Sequence, residues 1–329
     1  MTAAMLLHGC AESVPAYTPA TAPNIAAQTR TARTSRPAVI EVTAGDRAAA
    51  FGFSNNRVHF TAPAFRRHKR HAHATPPVGY PLDMYDFGGP TMPASNAYNI
   101  YVNCKDERCW GHPEEFLKGL AGSPFSDLIT QYTGSPGSKY AFKDSLSVKY
   151  SHPYTNTYYT EDLFAILAAA LRHFKATGLS VQYHIFLPKG IDTCVDQTSL
   201  CYSPDDLSAF QFCAYHGAAQ YKHKNVIYSV EPYASPQVDV YGTFVWGCQD
   251  QAIPKGVNRE DSAQASALSH ESFESWSDPL PNTGWFNTTF QAEIGDICAY
   301  LYMQTIELSS RKWYIQQEYS NAAHGCSST

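Results

Sequence analysis

Hydrophobic residues in the middle of the chain follow helical spacing in some segments and form short apolar runs in others. The clearest helix is predicted over residues 160–176, where large aliphatic residues recur at helical spacing and form one apolar stripe. Gly178 ends this helix, and Pro188 stops the apolar strand predicted at 181–187. Further strands are predicted at 98–102, 226–230 and 312–319, and further helices at 113–120 and about 263–275. This alternation predicts a loop-rich α/β (α+β) fold with helices packed on a mixed sheet.

The first 75 residues differ in composition from the rest. Residues 11–75 are rich in Ala, Thr, Pro and Arg, with few large aliphatic residues in a periodic pattern, so we predict a pro-region or a disordered linker. The basic run at 66–73 is a candidate processing site, with a solvated tail as the alternative. The first ten residues resemble a signal remnant in which Cys10 is the candidate lipid anchor. The remaining residues, 76–329, are predicted to form a single α/β domain.

The cysteines indicate an oxidising compartment. There are 9 cysteines, none of them in a CxxC pair, and the eight that follow Cys10 are an even number. Short loops can close Cys104 to Cys109 and Cys194 to Cys201, which leaves four cysteines for two longer bridges of open connectivity. A disulfide-bonded protein that is secreted or held at the cell surface is the consequence.

Charge and hydropathy exclude two classes of partner. The formal net charge is -5 and charged residues make up 16% of the chain, so no nucleic-acid partner is expected. The residues after the first ten contain no apolar run of the roughly eighteen residues that a membrane span needs. We therefore expect no membrane span. The chain is also expected to be a monomer.

The sequence His-Glu-Ser-Phe-Glu at 270–274 is the most informative pattern for function. Residues four apart on a helix share one face, so His270 and Glu274 can reach a single cation while Glu271 lies beside it. This HExxE pattern differs from the HExxH pattern of zinc peptidases in its last residue, and carboxylate oxygen is also a zinc ligand. The pattern predicts a zinc site in a zincin-like sheet, with Glu271 as the general base.

A catalytic zinc ion needs a third protein ligand and a position for water. We predict Glu293 as the first choice and Asp296 as the second, because Gly295 between them permits a turn. Either carboxylate could instead orient His270 through a hydrogen bond. His184 and His216 are further candidates for stabilising an oxyanion or supplying a proton. Calcium is the alternative metal.

Several segments together resemble the phosphate-induced, or exordium-like, proteins of plants and their microbial relatives. Residues 269–279, followed by Gly284-Trp285 and by 293–296, are similar to bacterial relatives that carry a metallopeptidase-like motif. The remaining similar segments are Gly88-Gly89-Pro90, the strand at 99–102, the helix around Phe116-Leu117 and residues 212–217. The resemblance implies an extracellular protein, and its plant members are linked to cell-wall growth signalling.

Two functions follow as hypotheses. The first is a secreted zinc-dependent hydrolase of peptides, in which Glu271 takes a proton from the attacking water. The second is a non-catalytic secreted protein of the exordium-like type that binds a cell-wall polymer or a partner, with the acidic cluster structural or holding calcium. The expected substrate or partner is accordingly a peptide or a cell-wall-associated molecule.

Overall fold

Seven strands form one mixed sheet at the centre of the protein. The computed structural model describes residues 36–63, 80–152, 155–196 and 199–329, all within one compact unit that begins at Arg36. In order across the sheet, the strands are β1 (Ala38–Glu41), β5 (Tyr140–Lys149), β4 (Ser95–Val102), β7 (Val181–Phe186), β11 (Lys224–Glu231), β10 (Ala214–Tyr221) and β2 (Phe53–Thr61). Neighbours from β1 to β11 are parallel, and β10 is antiparallel to both of its neighbours. The mixed α/β class is confirmed.

Shorter elements surround this sheet. The small sheets pair β3 (Tyr85–Asp86) with β14 (Trp285–Phe286), β6 (Thr157–Tyr159) with β8 (Asp192–Cys194) and β9 (Cys201–Tyr202), β12 (Gln237–Val240) with β13 (Thr243–Trp246), β15 (Met303–Leu308) with β16 (Arg311–Gln316), and β17 (Glu318–Ser320) with β18 (Gly325–Ser327). The helices are α1 (Ala44–Ala50), α2 (Pro113–Leu120), α3 (Pro124–Asp127), α4 (Thr130–Thr133), α5 (Thr160–Phe174) and α6 (Arg259–Ser277), with 3₁₀ turns at Glu107–Trp110 and Gly137–Lys139.

Two apolar cores lie on opposite faces of the sheet. The stripe of α5, which includes Ile166, packs with Ile185 and Val230 on one face. On the other face, Phe186 of the same strand packs with Leu268 of α6. Neighbouring residues of a strand point to opposite faces, so each central strand contributes to both cores. The result is a sheet between two helical layers.

The folded unit begins well before the predicted boundary at residue 76. Residues 36–63, which the sequence analysis placed in a pro-region or linker, contain β1, α1 and β2. Both strands lie at edges of the large sheet, where β1 pairs with β5 and β2 pairs with β10. Edge strands expose much of their length, and the residues of β1 are mostly exposed. Their stability comes from pairing with residues far away in the sequence, which composition does not reveal. Cys10 and the basic run at 66–73 lie outside the described residues.

Helix α6 is buried along almost its whole length although it is rich in polar residues. Every residue from Asp261 to Ser277 is buried. Ser262 accepts the backbone N–H of Tyr314 at 3.0 Å, and Ser266 accepts that of Gln316 at 3.1 Å. Four residues of helix span about 6 Å and two residues of strand span about 6.6 Å, so the two serines match two successive outward N–H groups of β16. The serines thereby bind the β15–β16 hairpin to α6.

Four disulfides connect the loops of this unit. The predicted short bridges Cys104–Cys109 and Cys194–Cys201 are present. The other four cysteines form two longer bridges, Cys213–Cys248 and Cys298–Cys326. These bridges are compatible with an oxidising compartment. No helix in the described part of the chain has the length and apolar character needed to cross a membrane.

A salt bridge fastens α1 to α5. Arg172 donates to both carboxylate oxygens of Asp46, at 3.0 and 2.8 Å, and Asp46 also completes the N-terminal capping box of α1 with Thr43. Burial would raise the pKa of Asp46, but the hydrogen bonds from Arg172 and Thr43 outweigh it and lower the pKa. We expect Asp46→Asn to reduce the free energy of unfolding by about 1–2 kcal/mol at pH 7.

The same lowered pKa gives the sign of the pH dependence. A carboxylate with a lowered folded-state pKa contributes stability above its unfolded pKa and loses it as the pH falls through the folded value. The difference between wild type and Asp46→Asn in urea unfolding should therefore shrink as the pH falls below 3.8, the ordinary value for Asp. Asp144→Asn, at an exposed position, serves as control. A difference that stays constant down to pH 2 would contradict this assignment.

Candidate metal centre

A row of polar residues crosses the central sheet. Each residue in the row is paired in register with the next, from one strand to its neighbour. From β4 to β2, the row consists of Asn99, His184, Ser229, His216 and His59. His184 and Ser229 are linked by a 2.8 Å hydrogen bond, and Ser229 donates to Glu231 at 2.7 Å. The last two histidines of the row meet the polar face of α6.

The HExxE residues of α6 point together, as the helical spacing predicts. His270 Nε2 lies 2.9 Å from Glu274 Oε1. Gln316 contacts the other ring nitrogen, Nδ1, at 2.9 Å, so Nε2 is the nitrogen that faces the carboxylates. Glu271 accepts a 2.5 Å hydrogen bond on Oε1 from the hydroxyl of Thr61 at the end of β2. Glu271, a residue of α6, is therefore also held by a hydrogen bond from the edge strand β2.

The loop that follows β14 brings two more carboxylates. Glu293 Oε2 lies 3.7 Å from His216 Nε2, and Asp296 Oδ1 lies 3.8 Å from His270 Nε2. The other oxygen of Asp296 contacts His59 Nε2 at 2.6 Å. Gly295 allows this approach, because a Cβ atom there would lie 2.7 Å from the ring of His270. The predicted carboxylates thus reach the site, together with two histidines from the sheet.

These seven side chains form what we call the Glu274 cluster. Its members are His59, His216, His270, Glu271, Glu274, Glu293 and Asp296. Three groups within it have ligand atoms less than 4.8 Å apart: His59 with Glu274 and Asp296, His216 with Glu274 and Glu293, and His270 with Glu271 and Glu274. Each group contains one imidazole, Glu274 and one further carboxylate. Imidazole and carboxylate groups are among the side chains that can bind a metal ion.

Many polar atoms of the cluster lack a hydrogen bond although they are completely buried. Both carboxylate oxygens of Glu274 and of Glu293, both ring nitrogens of His216, Oε2 of Glu271 and Nε2 of His270 are in this state. Buried polar groups are normally satisfied, and each exception requires an explanation. A bound cation would satisfy the carboxylate oxygens and one nitrogen of each imidazole, so the residues fit a metal ion.

The cluster also shifts the pKa of its members. Burial alone would lower the pKa of His216, but the neighbouring carboxylates of Glu271 and Glu274 raise it to about 9. The pKa of Glu274 is lowered, because His270 and His216 outweigh the opposing effect of burial. Burial raises the pKa of Glu293 well above its ordinary value, and neighbouring carboxylates add to this effect. The imidazoles therefore stabilise the charged form of Glu274, whereas Glu293 favours its protonated form.

Access to the cluster is limited. His216, His270, Glu271, Glu274 and Glu293 are fully buried. The partly exposed members are His59, whose side chain is 12% exposed, and Asp296, at 14%. Solvent therefore reaches the cluster from the side where β2 meets the loop at 293–296.

Comparison of the whole chain with known proteins gives no indication of its function. No family model, no curated protein and no solved structure matches the chain. The function of the cluster must accordingly be inferred from its own geometry.

Two of the imidazoles were not predicted as metal ligands. His216 was considered only for stabilising an oxyanion or supplying a proton, whereas its ring stands among Glu271, Glu274 and Glu293. His59 was missed because residues 11–75 were assigned to a linker. A signal for it exists in the sequence: Val58 and Phe60 pack into the α5 core, so the alternation of a strand directs His59 to the opposite face.

Proposed function

We propose that this chain is a secreted, zinc-dependent hydrolase that acts on peptides. The observation that carries the proposal is the Glu274 cluster, a buried set of imidazoles and carboxylates whose polar atoms lack hydrogen bonds. Zinc is favoured over calcium because imidazole nitrogen suits zinc, whereas calcium takes oxygen ligands. The four disulfides and the resemblance to exordium-like proteins both support an extracellular location.

The proposed reaction assigns separate roles to the residues of the zincin-like helix. His270 and Glu274 hold the metal, together with carboxylates from the loop at 293–296. When bound, zinc supplies Lewis acidity that polarises a carbonyl and lowers the pKa of water. Glu271 accepts one proton from the attacking water on Oε2, the oxygen that Thr61 leaves without a hydrogen bond. The water oxygen bonds to the carbonyl carbon, the C–N bond breaks, and Glu271 returns its proton to the leaving amine.

Elemental analysis and one variant test this proposal. We expect zinc in protein purified without chelators, and hydrolysis of a mixed peptide library followed by mass spectrometry. Glu271→Gln should retain the metal, because its amide oxygen can still accept the Thr61 hydrogen bond. The same change should reduce hydrolysis roughly 100-fold or more, since a general base typically contributes that much.

The matched control is Glu161→Gln, on the exposed side of α5, which should leave both metal content and hydrolysis unchanged. Unchanged hydrolysis in Glu271→Gln would show that Glu271 is not the base. Absence of transition metal from the wild type would overturn the metal site itself.

The burial of the cluster favours a second candidate function. A site in which five of seven members are fully buried resembles a closed structural metal site more than an open catalytic one. In this case the protein is a non-catalytic secreted protein of the exordium-like type that binds a cell-wall polymer or a partner. Metal at full occupancy combined with no hydrolysis of the peptide library would select this candidate.

A further inference from the structure

Glu274 is the one residue that all three groups of the cluster share. Its two carboxylate oxygens face different histidines: Oε1 lies 2.9 Å from His270 Nε2, and Oε2 lies 3.3 Å from His216 Nδ1. Neither oxygen has a hydrogen bond. His270 is on α6 and His216 is on β10, so the carboxylate lies between two imidazoles supplied by different layers of the fold.

We propose that the cluster binds two divalent cations bridged by the carboxylate of Glu274. The first position lies between Glu274 Oε1, His270 and Asp296. The second lies between Glu274 Oε2, His216 and Glu293. This inference rests on the proposed function for metal binding, but it does not depend on hydrolysis.

The separations between donor atoms agree with two positions. Ligand atoms that each lie about 2.1 Å from a tetrahedral zinc ion are roughly 3.4 Å apart. At the first position, His270 Nε2 is 2.9 Å from Glu274 Oε1 and 3.8 Å from Asp296 Oδ1. At the second position, one ring nitrogen of His216 and one oxygen each of Glu274 and Glu293 lie within 4.8 Å of one another. The first set is therefore close to the spacing of ligands around an ion, and the side chains of the second set would have to draw together around theirs.

The number of donors also exceeds what one cation needs. A catalytic zinc ion takes three protein ligands and a structural one takes four, whereas the cluster offers seven side chains. Three or four of these side chains would surround one cation, which leaves donors for a second one.

Two adjacent cations would change what the site can do. In two-metal hydrolases the ions lie about 3.5–4 Å apart and stabilise both the attacking and the leaving group. Glu271 Oε2 lies 3.5 Å from His216 Nδ1, which places the proposed base beside the second position. His59 contacts both Asp296, at 2.6 Å, and Glu293, at 3.5 Å, and so links the outer carboxylates of the two positions.

Metal stoichiometry tests the inference. The full chain is stripped with a chelator, reloaded with Zn²⁺ and analysed for metal and protein content. We expect two zinc ions per wild-type chain and one in each of Asp296→Asn and Glu293→Gln. The surface variant Asp205→Asn, at an exposed position, should keep two. Loading with Mn²⁺ instead should give the electron paramagnetic resonance spectrum of a spin-coupled pair.

The metal stoichiometry and the hydrolysis assay together distinguish a two-cation site from a one-metal hydrolase. One zinc ion in the wild type, or an uncoupled Mn²⁺ spectrum, would overturn the two-cation site while leaving a one-metal hydrolase intact. Two ions without peptide hydrolysis would support the inference and overturn the hydrolase. If a variant fails to fold, the wild-type stoichiometry and its Mn²⁺ spectrum still decide the question.

Discussion

Glu274→Gln should remove bound zinc from the protein completely. Glu274 belongs to every group of the cluster, and its two oxygens face His270 and His216. Glutamine carries one acceptor oxygen and an NH₂ group, so it cannot serve both imidazoles and places N–H donors where a cation would bind. Elemental analysis of the purified variant should find no zinc above the buffer background.

Stability measurements give an independent check on the same variant. Free zinc at 100 times its dissociation constant stabilises the folded state by about 2.7 kcal/mol per site. A chelator should therefore lower the midpoint of thermal unfolding of the wild type and leave that of Glu274→Gln unchanged. Glu161→Gln, exposed on α5, should behave like the wild type. A Glu274→Gln protein that keeps its zinc and its response to chelator would refute the central role of this carboxylate.

Among the four disulfides, loss of the Cys213–Cys248 bridge should reduce the free energy of unfolding most, because it closes the longest loop. This bridge joins the start of β10 to the segment after β13, across 35 residues. Closing a loop of this length stabilises the folded state by about 4 kcal/mol through the reduced entropy of the unfolded chain. Both cysteines are buried, so alanine is the suitable replacement because it introduces no unsatisfied hydroxyl.

The short bridge Cys104–Cys109 is the matched control. Its cysteines are 5 residues apart, and the same relation gives about 2 kcal/mol. Urea unfolding of Cys213→Ala/Cys248→Ala and of Cys104→Ala/Cys109→Ala should therefore differ by roughly 2 kcal/mol. Equal losses of stability would mean that loop length does not govern the contribution of these bridges.

Elements with a strong local pattern could be predicted from the sequence. The predicted helix at 113–120 matches α2, and the helix predicted at 160–176 is α5, which ends at Phe174. The strand predicted at 181–187 is β7, which ends one residue earlier. In α5 all local features indicate the same helix: the apolar stripe, the acidic residues of the first turn and the turn that ends it. Local and tertiary preferences therefore coincide in this element.

Elements that depend on distant partners were harder to predict. The closing strand expected at 312–319 is divided between β16 and β17, and the helix expected at 263–275 starts earlier, at Arg259. Asn258 caps the observed helix by accepting the N–H of Asp261 at 3.0 Å. The sequence shows no apolar stripe in the first turn of α6, and it does not reveal that the β15–β16 hairpin contacts Asp261 and Ser262 in that turn.

The residues of the candidate site also fall into those that a local pattern predicts and those that depend on distant parts of the chain. The spacing of His270 and Glu274 is a property of one helix, so the sequence alone predicts their common face. By contrast, His59 meets His216 through the pairing of β2 with β10, and nothing in either segment specifies that register. Asp296 lies on a separate loop and was predicted because Gly295 permits a turn there, which brings the loop close to His270. Ligands on one helix or beside such a turn could therefore be found, whereas ligands brought together by strand pairing could not.

The serines of α6 have a consequence for the behaviour of the protein at high concentration. A hairpin strand with free N–H groups can recruit a strand from another molecule and start edge-to-edge aggregation. In β16 the N–H groups of Tyr314 and Gln316 are instead bound by Ser262 and Ser266. The helix thus withdraws these two groups from intermolecular pairing and lowers the tendency of the hairpin to aggregate.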